Sequence, residues 1–327
     1  MNPTRPSLKL QSFRFEGMAG GVRLLERAWE AAAAGPAPPP EAGSGTLRVL
    51  QFNTLADGLA QQGGFVRCPA AALAWEARRP LLEAELARAD ADLLGLQEVN
   101  HCDDWLRGFL EKRGYAVSFL PKGRSPCLKL GFPADGIALA FKADRFELRE
   151  LEQRPYEGFG QGSALATLTE KASGRAVVFG TTHLKAKPEG AAVREQQAGQ
   201  LAERVAAAAE AAGTGCAVVV TGDFNEERGA VTAALEAGAV PLRDACAGWA
   251  ANGEGGKPFT TWKFRPQADG GEGATEKREW IDFILAAGAL RVGRRLGLPS
   301  ANAIGPGGLP CPAYPSDHLA VAVEFVW

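Results

Sequence analysis

Eight polar residues stand at the ends of short apolar runs, where a rigid scaffold can hold them in a cleft. Asn53 follows residues 47–52, Glu98 follows 93–97, His183 follows 177–182, and Asp223 and Asn225 follow 217–221. Asp282 lies within 280–285, while Asp317 and His318 immediately precede 319–326. One polar strand end needs no function, because strand ends meet water. The set is harder to dismiss as a whole, since it takes two of the three histidines and contains no Lys or Ser.

Oxygen donors from Glu98, Asp223 and Asp317, with an amide oxygen of Asn53 or Asn225, suit a hard cation, Mg²⁺ or Mn²⁺ in preference to zinc. Such an ion polarises a phosphoryl oxygen and neutralises the charge that develops on it. Asp282 can fix the tautomer of His318. Asp223 and Asn225, two residues apart, share one side of an extended segment. The first can take a proton from water while the second donates to a non-bridging oxygen. Together these groups describe metal-assisted hydrolysis of a phosphoester. Nucleophilic catalysis fits less well. Ser316, Asp317 and His318 are consecutive and cannot face one another as a triad, and the chain has no G-x-S-x-G, Walker A or G-x-G-x-x-G motif.

The elements that must position these groups alternate. Strands rich in Val, Leu and Ile are predicted at 47–52, 93–97, 137–141, 177–182, 217–221, 280–285 and 319–326. Helices are predicted at 70–89 (kinked at Pro80), 104–113, 189–212 and 231–237, with Pro69 at a start and Gly114 and Gly213 at stops. Sheets covered by helices on their outer faces follow. Residues 1–46, with Ala31–Ala34 and prolines at 36 and 38–40, read as an N-terminal extension and Pro-rich linker; one catalytic domain is expected over 47–327.

Composition sets the class. The 327 residues are 46% hydrophobic and carry a net charge of −2, so a globular chain is expected, without the basic footprint of a duplex-coating protein. No apolar stretch approaches the ~18 residues of a membrane span. Six scattered cysteines without a C-x-x-C pair read as reduced thiols, which favours an intracellular, cytoplasmic protein. A mitochondrial or plastid location requires residues 1–46 to be a transit peptide, against which Glu16, Glu26, Glu30 and Glu41 count.

In order after Asn53, the motifs Gln97-Glu98-Val99, Gly222-Asp223-Phe224-Asn225 and Ser316-Asp317-His318 resemble those of the endonuclease/exonuclease/phosphatase superfamily. The resemblance implies an α/β fold, a two-sheet β-sandwich flanked by helices in four layers, with a divalent ion between the sheets. It implies Glu98 as the main Mg²⁺ ligand (Mn²⁺ as the substitute), with Asn53 and Asp317 nearby. Asp223 and Asn225 correspond to the groups that handle nucleophile and transition state. His318, backed by Asp282, faces the scissile phosphate, and His183 matches another phosphate-site position.

Further stretches are similar to the branch that holds the nocturnins and the CCR4-type deadenylases. They include Phe65-Val66-Arg67-Cys68-Pro69, Leu73-Ala74-Trp75-Glu76, Ser125-Pro126-Cys127-Leu128, Thr182-His183-Leu184-Lys185-Ala186-Lys187 and Thr260-Thr261-Trp262-Lys263 with Arg265. That branch implies removal of the 2′-phosphate of NADP(H), giving NAD(H) and phosphate, or shortening of poly(A) RNA. A non-catalytic binding module is the remaining alternative, and a monomer is expected.

Lys122, Lys185, Lys187, Lys263 and Arg265 lie in motif-bearing segments and are expected to converge on the cleft. A dinucleotide with a 2′-phosphate and a pyrophosphate needs several cations at close quarters. A poly(A) exonuclease would favour aromatic platforms, and here there are few free aromatics beyond Phe132, Phe264 and Trp262. Phe52 stands where the family usually has Trp, and Lys187 where nocturnins carry Arg. Gln161 is read as the substitute for an expected Asn, and the loop 266–278 as longer and more charged. Trp75 and Trp280 are assigned to the core.

Overall fold

The computed structural model describes residues 23–32, 45–62, 64–249, 257–267 and 273–327. Most of the segment read as an N-terminal extension, and residues 268–272 of the charged loop, lie outside the described residues.

Apolar runs without polar alternation form strands buried on both faces. The larger sheet has seven, in the order β1 (Trp29–Ala31), β14 (Arg291–Leu296), β15 (Val321–Val326), β2 (Thr46–Asn53), β3 (Leu93–Val99), β5 (Gly136–Lys142) and β4 (Tyr115–Pro121). The smaller has six, in the order β10 (Arg243–Asp244), β13 (Asp282–Ala287), β9 (Ala217–Asp223), β8 (Ala176–His183), β7 (Gly162–Glu170) and β6 (Phe146–Pro155). A separate hairpin pairs β11 (Thr261–Pro266) with β12 (Ala274–Glu279).

The helices are α1 (Asp57–Gln62), α2 (Ala70–Leu73), α3 (Trp75–Ala89), α4 (Arg107–Glu111), α5 (Ala191–Ala212), α6 (Ala230–Glu236) and α7 (Ala301–Ile304). The helix predicted over 70–89 breaks at Ala74, whose ψ of 140° ends one segment and starts the next. Helix α3 then runs through Pro80. A left-handed Asp90 stops it, and Gly213, at φ 92°, stops α5 as predicted.

Alternate residues of the smaller sheet separate two cores. Val178, Val218, Val220, Phe283 and Leu285 pack under Leu201, Val205, Val231 and Leu235 of α5 and α6. Val177, Phe179, Val219 and Ile284 point the other way, into a core with Leu47, Val49, Leu93 and Leu139 of the larger sheet. Leu82, Leu86 and Phe109, from α3 and α4, join that core from the far side. The four-layer α/β sandwich is the fold that the resemblance implied. At Gly95 the sheets approach so closely that a Cβ would lie 1.9 Å from Thr221 Oγ1 and 2.7 Å from Thr181 Oγ1. All six cysteines are free thiols, as expected.

One boundary differs from expectation. Residues 23–32, read as part of the extension, belong to the sandwich: β1 pairs antiparallel with β14, and Leu25 is in the core. The fully buried Arg27 guanidinium pairs with Glu85 of α3 and donates to the carbonyls of Leu296 (3.2 Å), Gly297 (2.8 Å) and Ala320 (2.6 Å). Tyr314 Oη donates to the same Glu85 (2.9 Å). Removing one member of a buried, hydrogen-bonded charge pair leaves the other uncompensated and costs about 3–5 kcal/mol. Arg27→Met is therefore expected to lower the stability in urea unfolding by that order. A loss below about 1 kcal/mol would show that the segment is only laid against the domain.

Candidate active site

Strand register brings three titratable side chains into a row. In the smaller sheet His183, the last residue of β8, lies opposite Asp223, the last of β9, and Asp223 lies opposite Asp282, the first of β13. Facing side chains of neighbouring strands stand about 5 Å apart. The larger sheet ends its parallel pair β2 and β3 at the same place, with Asn53 beside Gln97 and Glu98 next along. Carboxyl ends of parallel strands are where α/β sheets carry ligand sites.

The sheets are joined there by side chains. Asn53 Nδ2 donates to Asp223 Oδ2 across the seam (2.9 Å), and its Oδ1 accepts from the Leu55 amide (3.0 Å). Asp223 Oδ1 accepts from the Asn225 amide (2.9 Å). Both Asn225 side-chain hydrogens are engaged, by Leu184 O (3.1 Å) and His183 Nε2 (3.0 Å). His318 Nδ1 is 2.9 Å from Asp282 Oδ2, the pair foreseen from sequence, and its Nε2 is 3.8 Å from Asp223 Oδ2. Ser316 has no nucleophilic geometry: its hydroxyl donates to Asn53 O (2.7 Å) and accepts from the His318 amide (3.1 Å).

Below this layer lies a polar tie that sequence reasoning passed over. Gln51 Nε2 donates to Asp282 Oδ1 (3.1 Å), and Gln97 Nε2 donates to both Gln51 Oε1 (2.8 Å) and Thr181 Oγ1 (3.0 Å). The signal was present, since a glutamine in an apolar strand two residues before Asn53 shares its face. Arg78 was missed too. It is fully buried on α3, at the helical spacing of Leu81, Leu82 and Glu85. Among the described residues, five non-glycines adopt positive φ, and four of them, Leu55 (58°), Glu98 (53°), Lys187 (75°) and Asn225 (52°), are in these site segments. Backbone strain is concentrated where functional groups must be aimed.

Electrostatics follows from burial and pairing. Burial pushes His318 towards its neutral form, but the carboxylates of Asp282, Asp223 and Asp317 outweigh it and raise its pKa to about 9. Burial would raise Asp317, yet Lys263, His318 and Arg265 hold it well below the ordinary carboxylate range. Asp223 is likewise depressed against its own burial, by His318 and His183 with N–H groups of Asn53 and Asn225. Asp282 goes the other way, raised by burial against the pull of His318.

The predicted cations separate into three groups. Lys263 Nζ hydrogen-bonds Asp317 Oδ2, and Arg265 lies 3.5 Å from the same oxygen with its guanidinium 3.8 Å over the Phe65 ring. Lys122 lies 3.8 Å from the buried Asp135 and lines, with Gln161 and His183, a small open cleft. Gln161 Oε1 accepts from Gln197 (3.0 Å), which also holds the Lys185 amide (2.9 Å). Lys187 is exposed and Lys185 partly so, and neither ammonium makes an ion pair among the described residues. Of the five cations expected to converge, Lys263 and Arg265 thus lie together on Asp317, and Lys122 lies on the His183 side.

The donors suit a hard cation. Glu98 is held through one oxygen by the Ala56 amide (3.2 Å), its other oxygen has no hydrogen-bond partner among the described residues, and Asn53 Oδ1 keeps a lone pair. Asp223, Asp282 and His318 form the tightest acid and histidine group, with ligand atoms within 4.8 Å of one another. Both Asp282 oxygens there are already committed, to Gln51 and to His318. That trio is better described as a proton-handling dyad with its neighbouring base.

Residues 50–318 match the model of the Endonuclease/Exonuclease/phosphatase family. Nocturnin of Xenopus laevis is 34% identical over 290 residues, 86% of this chain and 72% of that protein. Nocturnin of Homo sapiens is 34% identical over 288 residues, 85% of this chain and 65% of that protein. The solved human Nocturnin catalytic domain with bound sulfate superposes with a TM-score of 0.70 at 29% identity, covering 91% of this chain and 97% of that one. ANGEL2, solved as a 2′,3′-cyclic phosphatase, shares the fold at a TM-score of 0.75 and 20% identity, over 93% of this chain and 99% of its own. With its strand ends, paired carboxylates and histidine dyad arranged in this way, the chain belongs to the endonuclease/exonuclease/phosphatase family, as a hydrolase of its nocturnin branch.

Proposed function

We propose that this hydrolase is a divalent-cation-dependent phosphatase that removes the 2′-phosphate of NADP(H). The observation that carries this reading is the state of the aromatic rings around the cleft. Phe65 is covered by Arg265 at 3.8 Å, Phe264 by Arg67 at 3.9 Å, and Trp262 is buried with Arg278 at 5.2 Å, so that among these rings and Phe132 only the half-buried Phe132 has no such cap among the described residues. Rings capped by guanidinium groups give a compact, cation-rich wall suited to a small polyanion, and not a row of open platforms for successive bases.

Glu98, with Asn53 and Asp317, would hold Mg²⁺ or Mn²⁺, which supplies neutralisation of charge at the phosphoryl group. The chain's own residues do the rest. Asp223, kept ionised and oriented by Asn53, accepts a proton from the attacking water. His318, kept protonated by Asp282, donates to the phosphoryl oxygen whose charge grows. Asn225 gives one N–H, now on His183, to a second oxygen. Lys122 and Gln161 engage the remaining anionic groups of the dinucleotide from the His183 side.

The test is phosphate release from NADPH and NADP⁺ beside AMP release from poly(A), all with Mg²⁺. Phosphate from the dinucleotides with intact poly(A) is expected; shortening of poly(A) without phosphate release would establish an exoribonuclease instead. Asp223→Asn is expected to lower kcat about 10²- to 10⁴-fold. Glu98→Ala is expected to lose at least about 100-fold with an unchanged unfolding midpoint. Wild-type turnover in Glu98→Ala would remove it from the metal site.

The His318 pair also has a stability signature. Its folded pKa of about 9 lies above the 6.5 of an unperturbed histidine, so protonation favours the folded state. That contribution is fully present below about pH 6.5 and is lost as pH rises through about 9. In EDTA, the stability difference between wild type and His318→Gln should therefore shrink by roughly 1–3 kcal/mol between pH 6.5 and 9.5. A difference that is flat with pH refutes the raised pKa.

A further inference from the structure

We propose that Arg78 is a positioning residue for the hydrolytic site, in which its buried guanidinium locks the turn after Asn53 to the loop that carries Asp317 and His318. The reading rests on the chain being a divalent-cation phosphoesterase, and goes beyond it to how the two halves of the metal site are kept in register.

The geometry is specific. Arg78 leaves the buried face of α3, and its Nη1 donates to Thr54 O (3.1 Å) and to Pro315 O (3.0 Å). Thr54 follows Asn53, and Pro315 precedes Ser316, Asp317 and His318. One nitrogen therefore bridges two chain segments that otherwise approach the site from different strands, β2 and the entrance to β15. Glu98 joins the same assembly, because Thr54 Oγ1 donates to Gln97 O (3.0 Å) and Glu98 takes the Ala56 amide. The charge has partners as well: Asp57 Oδ1 is 3.8 Å from Nη2, and Asp317 and Glu98 help keep the guanidinium charged against its burial.

Stability alone does not account for an arginine here. Its Nε and Nη2 are buried with no hydrogen-bond partner, and such donors are costly. A methionine would fill the same space beside Trp75 without charge, and apolar replacements of buried ions are often neutral or stabilising. What a methionine cannot do is hold two carbonyls together. Groups that orient metal-site residues in this way, without touching the ion, typically change affinity or activity about 10- to 100-fold when removed.

The experiment uses the full chain and whichever phosphoester the unaltered protein hydrolyses, so that a wrong substrate does not decide it. Mn²⁺ binding is measured separately by electron paramagnetic resonance without substrate. Arg78→Ala is expected to lower kcat about 10- to 100-fold, to leave the substrate KM within about threefold, and to weaken Mn²⁺ binding about tenfold. Guanidinium at tens of millimolar, far below denaturing concentrations, is expected to restore activity to Arg78→Ala alone. Mn²⁺ binding that is unchanged or tighter, or a kcat loss that guanidinium does not reverse, overturns the proposal. If Arg78→Ala does not fold, Arg78→Lys decides: its ammonium, one bond shorter, should lower kcat and Mn²⁺ affinity at a near-native melting temperature, and wild-type values in both refute the role.

Discussion

Two sheets closed face to face over an apolar interior leave little room for charge except at the end of the seam, and every feature of this site answers to that restriction. At Gly95 the sheets are close enough that no Cβ fits, so the space between them is narrow there. Charges at the mouth of such a seam feel a low dielectric on their inner side and must be paired. Asp223, Asp282, Asp317 and His318 are all buried, and each has an opposite charge or a committed donor within reach. The pairing is what makes the chemistry available, because it decides which groups are ionised at neutral pH. Burial alone would lower His318 and raise Asp317, and in each case the neighbouring opposite charges outweigh it, although the two residues are adjacent in sequence. Adjacent side chains turn to opposite sides of an extended segment, so one meets carboxylates and the other meets Lys263 and Arg265.

The near-neutral composition becomes intelligible on this basis. A site that gathers four carboxylates would repel a phosphorylated substrate if it stood alone. Lys263 and Arg265 are drawn in by Asp317, and Lys122 by Asp135, so basic residues are held at the cleft by acids before any ligand arrives. The field of the cleft is thereby set locally, and the net charge of −2 says little about it.

Much of the fold and the site could be read from residue order because strand periodicity and strand-end chemistry are local properties. The seven apolar runs are all strands, and the eight polar residues flanking them gather at one end of the sandwich. What escaped was set by distant contacts. Strands β1, β6, β12 and β14 carry charged residues on exposed or edge positions, so their sequences lack an apolar run. The N-terminal boundary was misplaced because Arg27 looks like a solvent residue until Glu85 and three carbonyls are seen around it. The break in the predicted 70–89 helix falls at Ala74, a residue with no local signal for it, and the helix continues through Pro80.

Helix α3 shows how far the support of this site extends. Its buried face carries two ionisable residues, Arg78 and Glu85, seven residues and so about 10 Å apart along the axis. Glu85 accepts from Tyr314, whose hydroxyl takes the Ala320 amide (2.9 Å), and Arg78 holds Pro315. The segment from 314 to 320, which carries Asp317 and His318, is thus pinned to one rigid helix at its start, through Tyr314 and Pro315, and its far end is tied back to the Tyr314 hydroxyl. Arg27 adds a second hold on Ala320 and on the Glu85 carboxylate. A loop with no secondary structure of its own acquires in this way the precision of the helix behind it, which is what two consecutive buried charged side chains aimed into one site require.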